Sequence, residues 1–123
     1  MIKVRVEQNA SPQLNGIWTS GGVTVNPIAN DVIVSTGALD AGDYLFQIML
    51  NASVASRFII EHRNAADSAT LDSIEVPLGI DQFIQPIFGN KISLAQSERI
   101  RVIIKTGVTG NVQGSIFSSK IVA

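Results

Sequence analysis

The chain holds a single histidine, His62, so acid–base or metal chemistry near neutral pH would have to be organised around it. A Ser–His–Asp arrangement or a metal site would require His62 to recruit Asp67 or Asp72 across a loop, and His62 stands beside Arg63 at the end of an alternating run. No serine lies in a Gly-x-Ser-x-Gly elbow, and neither a phosphate loop nor a dinucleotide fingerprint is present. With no cysteine in the sequence, thiolate zinc sites and cysteine nucleophiles are excluded. His62 therefore reads as a strand-end residue with a satisfied ring. The chain reads as a non-enzyme with no cofactor.

The acids come in pairs. Asp40 and Asp43 flank Ala41-Gly42, and Asp67 and Asp72 flank a second turn. Calcium takes about six to eight oxygens, which two carboxylates per loop do not supply, so both pairs read as shaping turns through side-chain to backbone bonds. Asn9-Ala10-Ser11 and Asn51-Ala52-Ser53 match the glycosylation sequon but sit where turns are expected. Arg99, Arg101 and Lys105 share one strand face with Ile103, and with Lys3 and Arg5 they would form a basic stripe. Such a stripe reads as a solvated face or as one that meets acids on a neighbouring subunit. The only tryptophan, Trp18, lies in Asn15-Gly16-Ile17-Trp18-Thr19-Ser20-Gly21-Gly22. An aromatic in a Gly/Ser-rich loop stacks on a sugar, anchors an interface or closes one end of a core.

Composition favours the interface. Nine cations and ten acids make 15% of the 123 residues charged, against about 25% in an average soluble domain, while apolar residues reach 46%. So few charges leave apolar surface in contact with water, which a partner subunit would cover. The net charge of −1 argues against nucleic acid as a partner. No apolar run is long enough to span a membrane as a helix, and Met1-Ile2-Lys3-Val4-Arg5-Val6-Glu7 alternates where a secretory signal would be continuously apolar. The chain is therefore expected to be made in the cytoplasm and to stay there or to leave inside an assembled particle.

The elements that must position these groups are strands, because the dominant period is two. Ile2, Val4 and Val6 alternate with Lys3, Arg5 and Glu7. Tyr44, Phe46, Ile48 and Leu50 form one face of a second run, with Leu45, Gln47 and Met49 on the other, which suggests cover on both sides. Val54, Phe58 and Ile60 oppose Arg57 and Glu61; Ile100, Val102 and Ile104 oppose Arg99, Arg101 and Lys105; Val112, Gly114 and Ile116 alternate near the end. Turn signals at Asn15-Gly16, Gly21-Gly22, Asn26-Pro27, Gly37, Asp40 to Asp43, Asn64, Gly89-Asn90 and Gly107 to Asn111 separate the runs. Ala65 to Ser73 allows one helical turn, and Pro86 places its run at a sheet edge or a bulge. The rhythm predicts one domain over residues 1–123: an all-β antiparallel β-sandwich of the jelly-roll type.

Three stretches resemble the trimeric jelly rolls of the tumour necrosis factor and complement globular-head superfamily. Gly42-Asp43-Tyr44-Leu45-Phe46-Gln47 looks like its glycine-x-tyrosine-x-phenylalanine strand, and Ser97-Glu98-Arg99-Ile100-Arg101-Val102 is similar to its "small, acidic, x, apolar" strand. Gly114-Ser115-Ile116-Phe117-Ser118 looks like its closing strand. The resemblance spans about residues 37 to 122 and implies a ten-stranded sandwich closed into a threefold trimer around apolar and aromatic residues. Phage and virus structural proteins, including capsid decoration proteins and fibre tips, use the same trimeric fold.

The expectation is a homotrimeric capsid decoration (cement) protein, with itself and a capsid or other virion protein as partners. The alternative is a carbohydrate- or receptor-binding module of a fibre tip. Trp18, Tyr44, Phe83, Phe88, Phe117 and Ile103 are the expected trimer anchors. Ile2, Lys3, Val4 and Arg5 are the expected contacts to a capsid or a neighbour, since their alternation suits strand addition.

Overall fold

The computed structural model describes residues 13–79, 83–84 and 91–122. Ten strands follow one another: β1 (Gln13–Ser20), β2 (Thr24–Val25), β3 (Val32–Ser35), β4 (Gly42–Ala52), β5 (Ser56–Arg63), β6 (Thr70–Leu78), β7 (Phe83–Ile84), β8 (Ile92–Leu94), β9 (Arg99–Ile104) and β10 (Asn111–Val122). No helix occurs among the described residues.

The pairing is nested. β1 pairs with β10, β3 with β9, β4 with β8 and β5 with β6, all antiparallel, so the chain is a single ribbon whose tip is the β5–β6 hairpin. Rolling this ribbon brings β10 alongside β4 and β9 alongside β5. Two sheets result. The first has the order β1-β10-β4-β7, with β2 on β10 and β8 on β4; the second has the order β3-β9-β5-β6. This is an antiparallel sandwich of the jelly-roll type.

Side chains alternate across a strand, so each sheet gives one face to the core. Tyr44, Phe46, Ile48 and Leu50 of β4, with Val112 and Ile116 of β10, meet Phe58 and Ile60 of β5 and Ile100, Val102 and Ile104 of β9. Gly114 faces the core between the sheets: a Cβ there would stand 3.0 Å from Val34 Cγ1 of the second sheet and 3.1 Å from Leu50 Cδ2 of its own.

Four expectations are corrected. Asn15-Gly16 is not a turn but part of β1, and Gly16 is not among the glycines with positive φ. The stretch from Ala65 to Ser73 holds no helical turn. Asn64 Oδ1 accepts from the amides of Ser68 (2.8 Å) and Ala69 (3.2 Å) and closes a compact turn, after which β6 begins. The outer face of β4 is half-exposed at Leu45, Gln47 and Met49, not covered. Tyr44 does not anchor an interface, because it faces the chain's own core. It is 3% exposed, its ring stacks on Phe46 at 5.6 Å, and its hydroxyl donates to the Asp40 carbonyl at 2.7 Å. Pro86 and the run from Ile2 to Glu7 lie outside the described residues.

Phe58 is fully buried at the centre of this core, whereas Leu45 sits on the outer face. Phe58→Ala is expected to cost about 3–5 kcal/mol of unfolding free energy in urea titrations, and Leu45→Ala less than about 1 kcal/mol.

Candidate interaction face

Residues directly opposite on paired strands share a side of the sheet, so register determines what each outer face presents. On the first sheet, Trp18, Phe117 and Gln47 form one row, flanked by the rows Gly16–Ser119–Leu45 and Ser20–Ser115–Met49. Gln113 and Asn51 extend the face toward one end. None of these positions is charged.

Two aromatics hold its centre. The Trp18 and Phe117 rings lie 6.0 Å apart, tilted by 43°, with Trp18 half-exposed and Phe117 half-buried. Gly16 provides the seat for Phe117: a Cβ at Gly16 would lie 2.4 Å from Phe117 Cζ, so the ring rests on bare backbone. An aromatic laid over a glycine of an edge strand covers backbone that would otherwise face water, and it fixes the register. Trp18 is therefore a strand residue and not a loop residue, because β10 is long enough to pair with the whole of β1.

The outer face of the second sheet is the opposite in character. Glu75 accepts from Arg57 and from Lys105, each at 2.8 Å. Glu61 accepts from Arg101 Nε at 2.5 Å and from the Thr70 hydroxyl at 2.8 Å. Asp67 accepts from Arg63 Nε at 2.9 Å, with Arg99 and Arg101 within 4 Å. Arg99, Arg101 and Lys105 of the basic stripe thus each meet an acid of the same chain, three acids serving five cations, while Lys3 and Arg5 lie outside the described residues. Ile103 lies on this face between Val32 and Ile59, and at 4% exposure it is no interface anchor.

The remaining acids tie turns together. His62 Nε2 lies 2.8 Å from Glu98 Oε1, which also accepts the Ala95 amide at 2.9 Å. Asp43 accepts from Ser93 (2.6 Å) and Lys91 (3.1 Å), and Asp40 from Gln96 (3.2 Å). Neither Asp67 nor Asp72 reaches His62. Asp67 is held by Arg63, and Asp72 accepts the Ser73 amide.

Of the expected anchors, Trp18 and Phe117 come together. Phe83 falls on β7, at the far edge of the same sheet and opposite Asn51. Phe88, Ile2, Lys3, Val4 and Arg5 lie outside the described residues. Sequence reasoning missed Gly16. The only available signal was a glycine two residues before an aromatic, which also reads as a turn.

No protein-family model and no curated protein matches the chain. The resemblance to tumour necrosis factor and complement heads therefore rests on its three short stretches. Two solved structures superimpose on nearly all of the chain. One is the infectious bursal disease virus VP2 subviral particle, at 10% identity and a TM-score of 0.47, over 97% of this chain and 35% of that one. The other is infectious bursal disease virus Gx strain, at 11% identity and a TM-score of 0.45, over 98% and 37%. The chain spans little more than a third of their length.

Two predictions follow from this geometry. Folding lowers the carboxyl pKa of Glu75 through its bonds from Lys105 and Arg57, of Asp67 through its bond from Arg63, and of Glu98 through the Ala95 amide and then His62. The stability these groups contribute is complete above the ordinary carboxylate range and is lost as pH falls through the lowered values. Denaturant midpoints are expected to drop between about pH 5 and pH 3, with a shallower slope in Glu75→Gln. Gly16→Ala should displace the Phe117 ring and shift Trp18 emission, while unfolding free energy changes by less than about 1 kcal/mol.

Proposed function

We propose that this chain is a virion structural protein that assembles with copies of itself, through the outer face centred on Trp18 and Phe117. The observation that carries this reading is the division of charge. One outer face is uncharged and aromatic around Trp18 and Phe117, with a single ion pair, Asp43–Lys91, at its β8 end, while on the other outer face Arg57, Arg63, Arg99, Arg101 and Lys105 each meet an acid of the same chain. Covering the uncharged face strips no ion of its water, and aromatic anchors are enriched in the dry centres of interfaces. Jelly rolls serve as viral capsid and lectin domains, although a fold by itself does not assign function.

Within this reading the assembly is a homotrimer that sits on a capsid as a decoration protein. Binding only to the assembled shell, it would stabilise that state by mass action, by about 2.7 kcal/mol per site at a hundredfold excess over Kd. No catalytic step or cofactor enters this role. A carbohydrate-binding module of a fibre tip is the second reading. It is favoured by the half-exposed Trp18 standing in one row with the Gln47 amide.

The test is solution mass by light scattering across a concentration series. The proposal expects about three times the 13.1 kDa chain mass, reduced in Trp18→Glu and Phe117→Glu variants that keep the wild-type far-ultraviolet spectrum. A wild-type chain that stays monomeric when concentrated sinks the self-assembly reading. If that monomer's Trp18 emission moves to the blue on adding glycans, the fibre-tip reading replaces it.

A further inference from the structure

We propose that the loop between β2 and β3 docks, through Ile28, in a cavity on the β6 side of a second copy of the chain, and that this contact closes the homotrimer. The proposal rests on the self-assembly reading: the aromatic face turns toward the threefold axis, and the loop joins neighbours around it.

The loop carries an apolar crest. Val23, Val25, Ile28 and Val32 are each about half exposed or more, and Ile28 reaches 69%. Aliphatic side chains gathered in water mark a surface that a partner covers. Their backbone is firmly held. The Asn26 amide donates to the Gly110 carbonyl at 2.7 Å, and the Gly110 amide donates to Asn26 Oδ1 at 2.9 Å. The Val108 amide donates to the Pro27 carbonyl at 3.1 Å, and the Asn30 amide to the Ile104 carbonyl at 2.8 Å. Asn26 and Asn30 hold φ at 50° and 73°, left-handed conformations that cost energy outside glycine. A loop fixed in one shape loses little entropy on docking.

The receiving cavity is open and measures about 540 Å³. Ala55, Pro77, Leu78 and Val108 give it apolar walls, and Arg57 and Thr106 also line it. Its charge complements that of the loop. Asp31 is the only charged residue from Gly21 to Leu39, and its Oδ2 accepts the Ile28 amide at 2.9 Å. At the cavity, Arg57 and Lys105 share one acid among the described residues, Glu75, which leaves a cation in surplus. Seating Ile28 between the apolar walls brings Asp31 toward that surplus.

Position, area and symmetry select a second copy. In its own chain the loop rests on the bare backbone of Gly107, where a Cβ would stand 3.3 Å from Ile28 Cα, and Ile28 is not part of the cavity wall. The loop leads into β3 and the cavity borders β6, the two ends of the second sheet. With the aromatic face toward an axis, the β3 side of one copy meets the β6 side of the next. The Trp18 and Phe117 rings, at about 150–250 Å² apiece, fall short of the roughly 800 Å² that each partner of a specific interface covers. A loop entering a different surface of its neighbour is a heterologous contact, the kind from which closed rings are built.

Disulfide trapping tests the contact, because the chain has no cysteine of its own. Chains carrying Ile28→Cys or Ala55→Cys, both at exposed positions, are mixed under mild oxidation, and the double variant is oxidised by itself. The proposal expects a 28–55 disulfide between chains in the mixture and a covalent trimer from the double variant. Ile28→Asp, with a wild-type far-ultraviolet spectrum, is expected to raise the concentration for half-assembly by about tenfold or more. Asp31→Asn keeps an oxygen for the Ile28 amide and is expected to make assembly less sensitive to salt. Unchanged assembly in Ile28→Asp, no 28–55 disulfide in a chain that still assembles, or a double variant that stops at dimers overturns the loop contact and leaves the aromatic face standing. A monomeric wild type overturns both.

Discussion

The antiparallel pairing of β4 with β10 sets the geometry on which the rest of the molecule depends. Nine register pairs, from Val112–Ala52 to Lys120–Tyr44, lock these two long strands together in the middle of the first sheet. That register places Ile48 opposite Ile116 in the core and Gln47 opposite Phe117 outside it. A slip of one residue on either strand would exchange core for surface along its length, which is why one buried face specifies register so strongly. β1 takes its own register from β10, so the position of Trp18 follows from the same constraint.

Charge is the second organising feature. A jelly roll has two outer faces, and among the described residues this chain gathers most of its cross-strand ion pairs on one of them, the other holding the Asp43–Lys91 pair at the end where β4 meets β8. Arg57, Lys105 and Glu75 form one cluster; Arg101, Glu61 and Thr70 form another beside Arg63 and Asp67. Exposed pairs of this kind contribute little stability each, and their main effect is to give each of these cations an acid partner on that face. The rows of the other face around Trp18 and Phe117 hold amides, hydroxyls, Leu45, a thioether and the two aromatics, and so carry the character of an interface centre.

Edges complete the description of the surface. The ribbon that closes the sandwich leaves both sheets with outermost strands, and nested pairing cannot remove them. Gly16 shows one way of managing an edge, with the Phe117 ring lying over its backbone. Among the described residues β6 shows no such cover along its exposed stretch. Face and edge are thus two separate opportunities for association, one made of side chains and the other of backbone hydrogen bonds.

The sequence by itself determined the strand class and the inward faces of the central strands. Those signals are local: Tyr44 to Leu50, Phe58 to Ile60, Ile100 to Ile104 and Val112 to Ile116 each state their inward side through a period of two. It also determined the shortage of charge. Only the tertiary structure decided where the shortage falls, because outer-face neighbours are set by register between strands far apart in the chain. Trp18 meets Phe117 from the opposite end of the sequence, and His62 meets Glu98 across the sandwich's turns. β1 was illegible for the same reason. Its Asn15-Gly16 pair is a turn signal locally, and pairing with β10 along its whole length overrides that preference. Tyr44 and Ile103 looked like surface anchors by residue type, yet burial depends on what packs against a side chain, and the rolled ribbon covers both.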